Sequence, residues 1–373
     1  MAKTKSGISL LCFAAANAAL GASGYGQSGL TGSSSAVAVG GSDSLSGYQI
    51  VDLSPPGYRQ SCATGIVGDR IAGWAIPESG LTTSRHAMLW SGPNHKPIDL
   101  STAELEDSAG YAVAYTQAVG CGVSGASQPN THAFLWNSNS PNLIDLNPSG
   151  FIMSVAEGVS GGRQIGYGLI STGVPHALLW NSSPQSVLDL NPWGFRWSFA
   201  YGIWSNSEAG YGRTLSGDTH ALFWQSTRES AVDLNSKKIV ESWAIGIARN
   251  QIVGYGEIIP NRDVHALLWI ISPNAPTKSI DLNPQGFSSS AALATNGAEQ
   301  VGRGMPVGSD EWHALLWGGN AMATDLSRYL PKGFIESQAV CIDGAGNIVG
   351  DAVDSQHRMH AIEWILWVSP LPR

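Results

Sequence analysis

Seven histidines and seven aspartates recur along the chain in an order that could carry proton-transfer or metal chemistry. The histidines are His86, His132, His176, His220, His265, His313 and His360. The aspartates are Asp52, Asp99, Asp145, Asp189, Asp233, Asp281 and Asp325. An imidazole oriented by a carboxylate is a general base, and clusters of the same groups bind zinc. Either role requires several of these side chains to meet at one point, so the elements that carry them decide the matter.

Each histidine opens a five-residue motif, read as HAMLW at 86–90, HAFLW at 132–136, HALLW at 176–180, HALFW at 220–224, HALLW at 265–269 and 313–317, and HAIEW at 360–364. Successive copies lie 44 to 48 residues apart. Two further markers share the period. One is Asp-Leu at the aspartates above. The other is a glycine pair, as at Gly166 and Gly168 or Gly210 and Gly212. A repeat of this length means stacked units. In the copy from Ser154, the runs SVAEGVS, RQIGYG, HALLW and SVLDL are separated by turn residues, which predicts four short antiparallel strands. Asn296-Gly297 and Asp343-Gly344 are hairpin signals in other copies. No segment has the length and period of an amphipathic helix.

Side chains alternate along a strand, and both faces of HALLW are largely apolar, so the sheet must be covered on both sides. Flanking each sheet with copies of itself does this and predicts a seven-bladed β-propeller of four-stranded antiparallel blades. Six copies hold all four strands. The seventh lacks its fourth strand, and Gln49–Leu53 (QIVDL) supplies it from the other end of the chain. An N-terminal strand closing the C-terminal blade leaves no open edge.

Placed on that scaffold, the histidines do not form one centre. Each sits on the third strand, and with strands ~4.8 Å apart it lies roughly 10 Å outward of the inner strand. The aspartate usually follows by 13 residues across a turn, opposite its histidine. The expected pairs are His86–Asp99, His132–Asp145, His176–Asp189, His220–Asp233, His265–Asp281, His313–Asp325 and His360–Asp52, as structural hydrogen bonds satisfying polar groups within each blade. The motif tryptophans 90, 136, 180, 224, 269, 317 and 364 are expected in the core. The aromatic residues Tyr58, Phe151, Phe195, Phe287 and Phe334 are expected to pin the crossovers between blades.

Binding specificity is then sought where copies differ. The stretch NPWGFRWSFAYGIW at 191–204 carries Trp193, Trp197 and Trp204 beyond the motif set, and Trp243 and Trp312 are also extra. Trp193, Trp197 and Trp312 fall near loops on one face and are the candidate ligand-binding residues, since aromatic rings stack on sugars or anchor protein partners. The acidic loop Glu104, Glu106, Asp107 lacks the order of a calcium loop, and no G-x-S-x-G or H-E-x-x-H motif occurs. No catalytic residue, metal site or cofactor is assigned, and the chain is expected to be a non-catalytic binding or structural module. A carbohydrate-binding propeller is the alternative, with a polysaccharide-active enzyme behind it.

Composition bounds the partners. The 373 residues are 43% hydrophobic and 13% charged, with a formal charge of −8 and no basic run. Nucleic acid binding needs clustered Lys and Arg, so it is excluded from the expected partners. What remains is an unknown protein or glycan, met by a monomeric propeller. Residues 1–21 read as a signal peptide, with Lys3 and Lys5 before the apolar run Ile8–Ala16, too short to span a bilayer. Residues 22–47 form a Gly/Ser-rich lead-in, 48–367 the propeller and 368–373 a tail. Cleavage of the leader leaves Cys62, Cys121 and Cys341, an odd number without metal-ligand spacing, which excludes a disulfide-built scaffold and leaves room for one pair in an oxidising compartment.

The motif HAFLW at 132–136, with a preceding V/I-G-Y-G and a following DLNP-x-GF, resembles the HAF repeat of bacterial exported proteins. The resemblance covers residues 48–367. It implies a propeller-like fold and an extracellular or cell-surface location, and it brings no established activity. Glu363 and the segment NSKKIV at 235–240 depart from the pattern.

Overall fold

The computed structural model describes residues 46–79, 84–124, 130–137, 143–272 and 275–368. The expected signal peptide and nearly all of the lead-in and tail lie outside the described residues. Seven four-stranded antiparallel sheets form the blades of a β-propeller, with no α-helix among the described residues. Blades 1 to 7 are numbered here by their inner strands, Tyr58–Val67, Leu105–Val113, Phe151–Ser160, Phe195–Trp204, Ile239–Ala248, Phe287–Thr295 and Phe334–Ile342. Ser46–Asp52 is the outer strand of blade 7, running antiparallel to Met359–Val368 with Gln49 opposite Ile365 and Asp52 opposite Ile362. The closing strand starts three residues before and ends one residue before the expected Gln49–Leu53, and its partner runs four residues past Trp364.

The recurrent glycine pair has a steric origin. A Cβ at Gly166, Gly210 or Gly302 would fall 2.0 Å from a carbonyl oxygen of the inner strand, those of Val155, Phe199 and Ala291. The second glycine of each pair lies under the crossover aromatic ring: a Cβ at Gly168, Gly212 or Gly304 would come within 2.7 to 2.9 Å of Phe151, Phe195 or Phe287. The Asp343-Gly344 turn differs in detail from the simple hairpin signal. Gly346 takes the positive φ of 87°, and the Asp343 carboxylate accepts from the backbone N–H of Ala345 and Asn347.

Three hydrogen-bond devices repeat around the ring. In all seven blades His Nδ1 lies 2.7 to 2.9 Å from the paired Asp Oδ2. The residue two past that aspartate links blade to blade. Asn147 donates its N–H to Asp145 and accepts from Ser154 Oγ, while Ser154 accepts from the backbone N–H of Ala133 in the preceding blade. The third device is the motif indole: Trp224, Trp269 and Trp317 donate Nε1–H to the carbonyls of Leu190, Leu234 and Leu282, the Leu of each preceding Asp-Leu. Six motif tryptophans are at most 1% exposed and Trp136 is 8% exposed. The repeated residues are thus consumed in closing one blade on the next.

Candidate functional site

Every inner strand carries a bulge at the same place, between the small residues that pair with the glycine strand. The extra residue is Thr64, Tyr111, Glu157 and Tyr201 in blades 1 to 4. In blades 5 to 7 it is Ile245, Leu293 and Val340. A bulge turns its residue out of the regular alternation. One apolar cluster joins Cys62, Tyr111, Val155, Phe199 and Met359, from blades 1, 2, 3, 4 and 7. In a ring of radial sheets only the axis brings five blades together, so these inner-strand side chains face the axis.

A second axial position is the residue between the two glycines, which pairs with the inner strand two residues before the bulge residue. It is Cys121, Tyr167, Tyr211 and Tyr255 in blades 2 to 5, and Arg303 and Asp351 in blades 6 and 7. On one arc these two positions, together with Trp197, Phe199 and Trp243 of the inner strands, build an aromatic wall. Tyr167 meets Phe199 edge-on at 4.7 Å between ring centres, and Trp197 meets Phe199 at 5.4 Å. Tyr201 stacks on Tyr211 at 5.5 Å, and Trp243 stacks on Tyr255 at 5.1 Å. Trp197, Phe199, Tyr201, Tyr211, Trp243 and Tyr255 are all half-buried, unlike the motif tryptophans.

The opposite arc is polar. Arg303 donates to Gln338 Oε1 at 3.2 Å, and Gln338 donates to Asp351 Oδ1 at 2.9 Å. Burial pushes the Asp351 carboxyl up to about 6, against Gln338 and Arg303, which favour its ionised form. Glu157 stands in blade 3, at the edge of the aromatic arc. Burial alone pushes its carboxyl up to about 8, yet the residue keeps partial solvent contact, as a group deep in an axial opening does.

The three sequence-derived candidates do not form one site. Trp193 is 77% exposed at the outer rim, where the guanidinium of Arg228 lies 5.2 Å from its ring centre and 3.1 Å from Asp189. Trp312 covers the buried Arg303 guanidinium at 4.4 Å, on the polar arc. Trp197 belongs to the aromatic wall. Asp107, from the acidic loop, forms an ion pair with Arg85 at 2.6 Å, and no group of three or more metal-ligating side chains occurs among the described residues. Sequence reasoning missed Glu157, Tyr201, Tyr211 and Tyr255. The signal was there in negative form, as the one variable letter inside an otherwise constant G-x-G and the one inside the inner-strand A-x-G.

No family model matches the sequence, and no curated protein matches it. Solved structures do. The propeller domain of the Trilobed protease from Pyrococcus furiosus superposes with a TM-score of 0.58 at 9% identity, covering 82% of this chain and 95% of that one. An oligogalacturonate lyase from Vibrio parahaemolyticus gives 0.51 at 6% identity over 85% and 93% of the two chains. These are propellers. A puromycin-hydrolysing peptidase from Mycobacterium tuberculosis gives 0.52 at 10% identity over 83% of this chain and 54% of that one, so the chain spans about half that enzyme's length. At such identities the likeness shows the fold alone. It corrects one expectation. The chain was expected to be no enzyme because its repeats lack catalytic motifs, but the matching propellers belong to puromycin-hydrolysing and prolyl peptidases and to a lyase. Repeats without catalytic motifs therefore do not mark a non-enzyme on this scaffold.

Proposed function

We propose that the chain is an exported or cell-surface propeller that binds a glycan on its axial face. The carrying observation is the asymmetry of the axis. Aromatic residues fill both axial positions in blade 4, Tyr201 and Tyr211, and their neighbours in blades 3 and 5 extend the wall with Tyr167, Trp243 and Tyr255. Core packing does not require this, because blades 6 and 7 use Leu293 and Val340 at the bulge. Ring faces set side by side match the apolar faces of pyranoses. The leader-like residues 1–21 and the HAF-type motif support the surface location.

A glycan array probed with the protein tests the reading. Trp197→Ala and Trp243→Ala are expected to abolish the strongest signals, and Trp193→Ala to preserve them. Loss of binding in Trp193→Ala with retention in the other two would move the site to the rim.

A further inference from the structure

Blade 3 places an acid where its neighbours place rings. Glu157 occupies the inner-strand bulge between Tyr111 of blade 2 and Tyr201 of blade 4, with Tyr167 behind it in its own blade. Among the described residues Glu157 makes no hydrogen bond or ion pair, and burial is the one influence on its carboxyl. Cations do stand nearby, but they are committed. Arg85, which acts on Tyr111 and Cys121, is held by Asp107 at 2.6 Å, and Arg303 lies on the opposite arc against Trp312 and Gln338. A carboxylate this enclosed is ordinarily paired once it ionises, and Glu157 has only solvent to meet it. The tyrosine faces around it offer negative potential to a cation.

We propose that the axial site takes an amino sugar bearing a free ammonium group, with the ammonium against Glu157 and the sugar ring on the aromatic wall. The inference rests on the axial glycan reading and specifies its ligand. At neutral pH the free protein holds Glu157 largely protonated, because its carboxyl is pushed up to about 8. The groups facing it are Tyr111, Cys121, Tyr167, Tyr201 and Tyr211. Burial raises all five, and the Glu157 charge raises each further, so they stay protonated across the neutral range. An arriving ammonium favours the ionised carboxylate, and the displaced proton passes to solvent. At pH 6 the sugar amine is itself charged and the carboxyl still holds its proton, so binding there should release close to one proton per ligand.

The test is calorimetry at pH 6 with the glucosamine trisaccharide and its fully N-acetylated counterpart, on the native protein and on Glu157→Gln. The free-amine trisaccharide is expected to bind about tenfold or more tightly than the acetylated one, since a desolvated charge pair separates them. Its binding enthalpy should vary with the ionisation enthalpy of the buffer. Glu157→Gln, which keeps the shape of the side chain, should remove both the preference and the buffer dependence. Equal binding of the two sugars, or an undiminished preference in Glu157→Gln, overturns the inference while leaving the axial glycan reading standing. Failure of both sugars, with no glycan on the array perturbing Trp197 or Trp243, removes the two together.

Discussion

Without ligand, Glu157 should be a liability whose size depends on pH. In the unfolded chain its carboxyl ionises at the ordinary value of 4.5, whereas in the fold it waits until about 8. Below 4.5 both states hold the proton and there is no difference. Between the two values unfolding releases a proton, so stability falls as pH rises, and above 8 the loss is constant. A rise of that size corresponds to roughly 5 kcal/mol, trimmed to about 2–4 kcal/mol by solvent reaching the carboxyl along the axis. Glu157→Gln keeps the shape and removes the titration. It should match the native protein at pH 4.5 and exceed it by about 2–4 kcal/mol at pH 9, in ligand-free buffer. Paired urea denaturations at pH 4.5, 7 and 9 measure this, because the other titrating groups are common to both proteins, and the thiol and tyrosines that feel the Glu157 charge ionise only above that range. A difference that stays flat across that range, or a variant less stable at pH 9, would refute the reasoning.

Other consequences can be read from single residues. Glu363 takes the place held by Leu89, Leu135 and Leu268 in other blades and is 3% exposed, with His95 Nε2 3.1 Å from Oε2 but outside hydrogen-bonding geometry. Burial, helped by Asp343, pushes its carboxyl up to about 7, so Glu363→Leu should gain about 2–3 kcal/mol at pH 8 and progressively less toward pH 5 in urea titrations. Ser154→Ala strips the buried Ala133 N–H of its acceptor and should cost about 1–3 kcal/mol of denaturation free energy, with crossing of blades 2 and 3 seen as faster amide exchange at Ala133. Replacing Asp189 by Asn should cost less, about 1 kcal/mol near pH 7, because the His176 pair is partly exposed. That cost should shrink in acid: burial raises the Asp189 carboxyl, but His176 and the Asn191 N–H outweigh it and hold it below its ordinary value.

The scaffold was legible because it repeats. His, Asp, the paired glycines and the motif Trp solve one packing problem seven times, so their period exposes the blade, and the missing fourth strand at the C-terminus together with QIVDL at the N-terminus exposes the closure. The candidate site is legible only as an interruption of that period. Each blade contributes a single bulge residue and a single G-x-G centre to the axis, and a ligand-facing set must vary from blade to blade to be specific. Glu157 thus looks like an ordinary polar letter in SVAEGVS until the bulge turns it inward. The density of aromatics at 191–204 was visible, but its division between rim and axis was not. Trp193 lies in the crossover turn and Trp197 on the inner strand, and the three residues between them span that difference. The polar letters Arg303 and Asp351 gave no sign of meeting, because they come from separate blades.

The most direct test of the axial site is a fluorine spectrum of protein labelled with 5-fluorotryptophan, its resonances assigned by Trp→Phe variants, recorded as the best-binding glycan is added. Trp197 and Trp243 should shift together and saturate with the binding curve, while Trp193 and the seven motif tryptophans stay in place. A saturating shift at Trp193 with Trp197 and Trp243 unmoved would contradict the account.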